Sequence, residues 1–233
     1  MKDSKITIDL QEVIKNSVSS SIPTRKKIDE ALVAEPKVFK QVSEFVSQKT
    51  KDNHIDLYKR YAESFTRVSS ELDAVDRSNV NSSHCDYRSL KLDETYNLNA
   101  TWLHELYFAN CFDPQSEIHM DTMAYMRLQR DFGTFDDWQS DFMACAMSCG
   151  QGWAVCVYNL FLRKYVNTTI SNHSQDVMVG LYPIIVVDCW EHSFLRDYLG
   201  DKKSYLVAMM RELNWEVIEE RFKKAESICE VTK

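Results

Sequence analysis

The run Pro183, Ile184, Ile185, Val186, Val187, Asp188, Cys189, Trp190, Glu191, His192 holds the residue types best suited to chemistry in this chain. Ile185, Val186 and Val187 suit a buried strand, and Asp188 falls at its end. Trp190 and Glu191 turn the chain into a following helix, which carries His192 four positions beyond the carboxylate. A carboxylate oxygen and an imidazole nitrogen brought together at a strand end suit a first-row metal such as iron, manganese or zinc. Two ligands do not make a site, and five other histidines are present: His54, His84, His104, His119 and His173. A lone histidine on an apolar helix is usually a hydrogen-bonded core residue. The seven cysteines (Cys85, Cys111, Cys145, Cys149, Cys156, Cys189 and Cys229) are odd in number and include no CxxC pair. They read as reduced thiols rather than a disulfide framework.

Elements must position these side chains. After Pro36 the pattern becomes helical, with Phe39, Val42, Phe45 and Val46 on one face. Leu57, Tyr58, Tyr61, Phe65 and Val68 continue a long apolar stripe past His54. Residues 77–90, rich in Asn, Ser and Asp, read as a loop, and residues 101–111 as a buried helix holding His104. Asp113 and Pro114 close that half. A helix with Met123, Met126 and Leu128 follows, with Gly133 as its C-cap, and Thr134 or Asp136 then caps a helix over 137–149. Strand-like runs occupy 152–158, 160–166 and 184–187, the first two joined as a hairpin at Asn159. Helices are expected over 191–198 and from 202 to about 224. The pattern predicts an α+β protein: an N-terminal helical hairpin domain over 36–113, then an α/β domain over 114–233 with a three-stranded antiparallel sheet. Residues 1–35 are polar and read as an extension, flexible or docking on a partner.

Bulk properties narrow the function. At 233 residues and 44% hydrophobic the chain can bury a real core, and five Gly with four Pro favour helices over a loop-rich β architecture. A net charge of −7 argues against nucleic acid as a partner and requires a local field to draw in any anionic substrate. The first residues lack the apolar core of a secretory signal and no run is long enough to span a membrane, so a cytoplasmic setting is expected.

The string Asp188-Cys189-Trp190-Glu191-His192 resembles the aspartate-x-tryptophan-glutamate-histidine signature of the iron/manganese superoxide dismutases. His104, followed after two residues by Tyr107 and Phe108, resembles the family's second-ligand motif. Arg130 to Asp136, Gly150 to Ala154, and Asn214-Trp215 resemble further blocks, in the family's own order. The resemblance implies one iron or manganese ion per chain, held by His54, His104, Asp188 and His192 with solvent as a fifth ligand. It implies disproportionation of superoxide to oxygen and hydrogen peroxide. Tyr61 and His173 would form a hydrogen-bonded relay to that solvent, with Gln175 as the alternative to His173. Trp153 and Trp190 would wall the pocket. Glu191 would reach across a two-fold interface, implying a homodimer. The family's gateway tyrosine follows the first ligand by eight residues, whereas Tyr61 follows His54 by seven. Either His54 binds metal after a one-residue deletion, or Asn53 holds the ligand position. Phe194 and Leu195 replace usual tyrosines, and Val155 replaces a frequent second tryptophan. Two other readings therefore stay open: a dismutase-fold subunit of a larger assembly, such as a virion, and a zinc-filled, redox-silent site.

Overall fold

Two long helices form a hairpin in the computed structural model: α1 (Gln48–Ala74) and α2 (Asp86–Cys111). The described residues are 34, 45–111 and 115–231, within the compact unit Leu32–Lys233. The rest of the expected 1–35 extension, the apolar positions Phe39 and Val42, and the boundary at Asp113 and Pro114 lie outside them. Ser47 caps α1, its hydroxyl accepting the Thr50 amide at 3.3 Å. Tyr58, Phe65, Val68 and Leu72 bury the inner face. His54 lies twenty residues before the end of α1, and His104 eighteen after the start of α2. At 1.5 Å per residue both stand roughly 27–30 Å from the closed end. Antiparallel pairing therefore sets them side by side, ring centroids 5.2 Å apart.

α3 (Met123–Phe132), α4 (Phe135–Ser148) and the sheet follow, the strands being β1 (Gly152–Asn159), β2 (Lys164–Ser171) and β3 (Leu181–Asp188). All pairings are antiparallel in the order β2-β1-β3. The central strand β1 is buried along its whole length. Pro183, which lacks an amide hydrogen, lies on the edge strand β3 opposite Val157, at a register shift. After the sheet come α5 (Glu191–Tyr198), α6 (Lys202–Arg211) and α7 (Trp215–Val231). The α+β class expected from sequence is the observed one.

Several boundaries differ from expectation, each for a local reason. Phe45 and Val46 are buried but precede the helix, because the cap is Ser47 and α1 starts only at Gln48. α2 begins at Asp86, fifteen residues earlier than the apolar run suggests. Its polar first half stays helical while Thr95 and Asn97 bond back to the carbonyls of Lys91 and Asp93. Residues 160–163 form a turn instead of starting a strand: the Asn159 carboxamide oxygen accepts the amides of Phe161 and Leu162, and Phe161 is 90% exposed. The expected last helix is broken at 212–214 into α6 and α7.

A buried polar clasp joins the hairpin to the sheet. Asn110 of α2 donates to the Val186 carbonyl at 2.9 Å, while its own carbonyl accepts the Asn214 amide at 2.6 Å. Arg221 of α7 donates to Asn110 Oδ1 and to the carbonyls of Ile184 and Leu106. Burial pushes the guanidinium pKa down to about 10, so it stays charged at neutral pH. The helix carrying His104 is thereby fixed against the strand carrying Asp188. Arg221→Met removes the donor from three buried acceptors, and an expected loss of about 2–4 kcal/mol follows. Urea unfolding measures it, and an unchanged midpoint would show the clasp to be dispensable.

Candidate metal centre

Four donor groups converge from both halves of the chain. His54 comes from α1, His104 from α2, Asp188 from the end of β3 and His192 from the first turn of α5. One ligand atom from each lies within 4.8 Å of every other. Atoms about 2.1 Å from a common ion are at most about 4.2 Å apart. Sub-ångström adjustments would therefore accommodate a mononuclear ion.

Hydrogen bonds within the cluster and to the backbone orient these groups. His54 Nε2 and His192 Nε2 both meet Asp188 Oδ2, at 2.9 and 3.1 Å. The other carboxylate oxygen accepts the Trp190 amide at 2.8 Å. The Asp188 carbonyl accepts the Tyr205 hydroxyl, and Tyr205 meets the Tyr107 hydroxyl at 3.1 Å. His104 Nδ1 donates to the Ala100 carbonyl at 2.6 Å, which fixes the lone pair on Nε2. That Nε2 is buried and has no hydrogen-bond partner in the protein. A buried acceptor facing two imidazoles and a carboxylate, without a donor of its own, fits a metal position.

The electrostatics suit the same purpose. Burial lowers the His54 pKa against the pull of Asp188, and lowers that of His104 well below the usual value, with His54 adding to the effect. Both imidazoles are neutral near pH 7, and the hydrogen that His54 Nε2 directs at the ionised Asp188 would have to leave before that nitrogen could bind an ion. Burial alone would raise the Asp188 pKa, but His192 and His54 outweigh it and keep the carboxylate ionised. Burial would lower the His192 pKa, yet Asp188 reverses the shift and raises it.

Of the remaining expected residues, His173 and Tyr61 come to the cluster and Gln175 does not. His173 follows β2 in a tight turn with positive φ at Asn172 and His173. Asn99 of α2 holds that turn, donating to the His173 carbonyl at 3.0 Å. His173 Nδ1 accepts Trp153 Nε1–H at 2.8 Å, and Nε2 meets the Tyr61 hydroxyl at 3.2 Å. Burial pushes the His173 pKa down to about 4. Gln175 is exposed in the turn, its side-chain oxygen accepting from Asn172. Asn53 is exposed while His54 is 2% exposed, so His54 is the residue that faces the cluster. Trp153, cross-strand partner of Asp188, packs edge-on against His104 at 4.9 Å. Trp190 stacks on His173 at 5.1 Å and on His192 at 6.0 Å. Glu191 is exposed beside His192 and stands outside the cluster. Asn99 and Tyr96, whose ring meets His173 at 4.7 Å, were not singled out by sequence. They precede His104 by five and eight residues, about 140° and 80° from it around the helix, so helical spacing from His104 does not mark either of them.

A helical hairpin, an antiparallel sheet and a His₃Asp cluster shared between them make a site that could hold one metal ion. The residues 121–221 match the family model for iron/manganese superoxide dismutases, C-terminal domain. The chain is 31% identical over 179 residues to an iron superoxide dismutase of Aquifex pyrophilus, covering 76% of this chain and 83% of that protein. It is 32% identical over 133 residues to a manganese superoxide dismutase of Halobacterium salinarum, covering 57% of this chain and 66% of that one. A similar match, 32% over 138 residues, links it to an iron superoxide dismutase of Cupriavidus metallidurans, at 58% and 68% coverage. The chain belongs to the iron/manganese superoxide dismutase family.

Trp153→Phe leaves His173 Nδ1 buried without its donor and opens space beside His104. A stability loss of about 2–4 kcal/mol is expected. A urea midpoint matching the wild type would show that the indole N–H does not hold the ring.

Proposed function

We propose that this chain is a superoxide dismutase acting through one iron or manganese ion held by His54, His104, Asp188 and His192. The observation that carries the reading is the convergence of three imidazoles and one carboxylate on a buried point where His104 Nε2 lacks a protein partner. When bound, such an ion alternates between +3 and +2, so that two superoxides and two protons give one oxygen and one hydrogen peroxide. The donor set carries one negative charge, which leaves a +3 ion with a residual +2. That local field draws a small anion toward a chain whose net charge is −7.

The chain's own residues supply the rest. Ala100 and Trp190, through their backbone groups, keep His104 Nε2 and Asp188 Oδ2 aimed at the ion. The Trp153 and Trp190 rings exclude water and so strengthen every fixed charge inside. Tyr61 and His173 hold a proton between Tyr61 Oη and His173 Nε2, where it is available to the reduced product. Glu191, exposed beside His192, is suited to a contact with a second copy in a homodimer.

Reconstitution with iron or manganese, followed by stopped-flow superoxide decay and elemental analysis, tests the reading. Asp188→Ala and His104→Ala are expected to lose metal affinity by more than the roughly 10–100-fold that follows loss of a supporting contact. Full occupancy in either variant would contradict the ligand set, and a wild type that takes only zinc and leaves superoxide intact would sink the activity. Metal affinity should also depend on pH with a definite sign. Protonated imidazole cannot ligate, and Asp188 holds His192 above its usual value of 6.5. Affinity is therefore full above the raised pKa and falls as pH drops through it. A chelator competition from pH 8 to 5 reads this, and an affinity flat across that range would exclude His192.

A further inference from the structure

His173 belongs to no regular element. It sits in the turn after β2, with φ at 54° for Asn172 and 153° for His173 itself. A residue with a side chain is strained there and stays only where its surroundings over-determine it. The turn's own hydrogen bonds tie it to the sheet: the Asn172 amide donates to the Gln151 carbonyl at 3.0 Å, and Ser171 and Gln175 exchange amide bonds at 3.0 Å. The carbonyl of His173 is held from elsewhere, by Asn99 Nδ2–H of α2 at 3.0 Å, across 74 positions of sequence. His173 is thus gripped at its carbonyl by Asn99, at Nδ1 by Trp153 and at Nε2 by the Tyr61 hydroxyl. Trp153 and Tyr61 hold the ring; Asn99 holds the peptide group that follows the strained φ.

We propose that Asn99 is a positioning residue: its bond keeps the His173 backbone in the strained turn, and so keeps the imidazole within reach of Tyr61. The consequence for turnover rests on the reading of the site as a superoxide dismutase; the consequence for the ring's position does not. His173 is fully buried, so without Asn99 its carbonyl is left without a donor and turns to find another. The peptide rotates, the strain at φ relaxes, and the ring is carried off the hydroxyl. Asn99 lies five residues before His104, about 140° from it around α2, and acts on the cluster through His173. One helix therefore supplies both a ligand and the donor that sets the turn opposite, so the two keep a fixed spacing.

Crystal structures and turnover of iron- or manganese-loaded variants test this. In Asn99→Ala, His173 Nε2 and the Tyr61 oxygen are expected to part beyond about 3.5 Å, outside hydrogen-bond reach. Asn99→Asp keeps the shape but sets an acceptor against the carbonyl, so it should part them too. Elemental analysis should find as much metal in both variants as in the wild type, since the four ligands are untouched. Their kcat for superoxide is expected to fall on the order of 2- to 10-fold, the size of one neutral hydrogen bond. In a His173→Ala background, Asn99→Ala should lower kcat no further, because the group it positions is gone. A ring that stays on Tyr61 in both variants, or an equal loss of kcat with and without His173, would overturn the assignment. Loss of bound metal in both would overturn it as well, since Asn99 would then support the ligand set. A metal-loaded wild type inert toward superoxide would defeat the functional reading, and the ring's position alone would then decide the role of Asn99.

Discussion

The rest of this structure depends on keeping one carboxylate ionised out of reach of water. Asp188 is fully buried, and an isolated charge there would be expelled or neutralised. It is retained because its two oxygens have three partners: His54 and His192 on one, the Trp190 amide on the other. Those partners come from α1, from α5 and from the turn between β3 and α5. Satisfying the charge therefore demands that separate elements meet at one strand end. The Tyr205 hydroxyl on the Asp188 carbonyl and the Asn110–Arg221 clasp on the neighbouring strand carbonyls serve that demand from outside.

A second constraint follows from the identity of the nitrogens. An imidazole offers one lone pair when neutral, and the group bonded to the other nitrogen decides where it points. At His104 the Ala100 carbonyl takes the Nδ1 hydrogen and turns the lone pair inward. At His173 the Trp153 indole does the reverse, claiming the lone pair and sending the hydrogen toward Tyr61. Two histidines 6.1 Å apart thus take opposite tautomers, one suited to a metal and the other to a hydroxyl. Burial makes both persistent by holding each ring neutral near pH 7.

The sequence was informative where local pattern and tertiary role coincide. The β-branched run ending at Asp188 is a strand because it is buried, and α5 begins at Glu191 as its position after a strand end suggests. Pattern failed where polarity and structure part company. The loop expected over 77–90 runs into α2 from Asp86, and the polar residues Asp93, Asn97 and Asn99 beyond it carry no apolar periodicity. In the fold two of them serve internal purposes, Asn97 bonding back along the helix and Asn99 crossing to the His173 turn. The opposite error arose at Leu160, Phe161 and Leu162, apolar residues in a turn that the Asn159 side chain shapes. Side-chain hydrogen bonds to backbone leave no periodicity, so hydrophobic spacing could not reveal either case. Among the candidate site residues, the choice between His173 and Gln175 depended on a turn with positive φ, which spacing does not encode.

The irregular interval between His54 and Tyr61 has a geometric resolution. At 100° per residue, seven positions carry a side chain to within about 20° of its starting direction, whereas eight carry it about 80° beyond. Tyr61 therefore leaves α1 on nearly the same side as His54, about 10.5 Å further along the axis. Its ring reaches His104 at 5.4 Å and His173 at 5.0 Å. The eighth position holds Ala62, which is fully buried and too small to compete for that space. A phenol placed by a seven-residue interval still needs a partner that reaches it, and His173 supplies one from a strained turn instead of a regular strand. The shortened spacing on α1 and the positive-φ turn after β2 thus belong together, since moving either one alone would separate the hydroxyl from the imidazole.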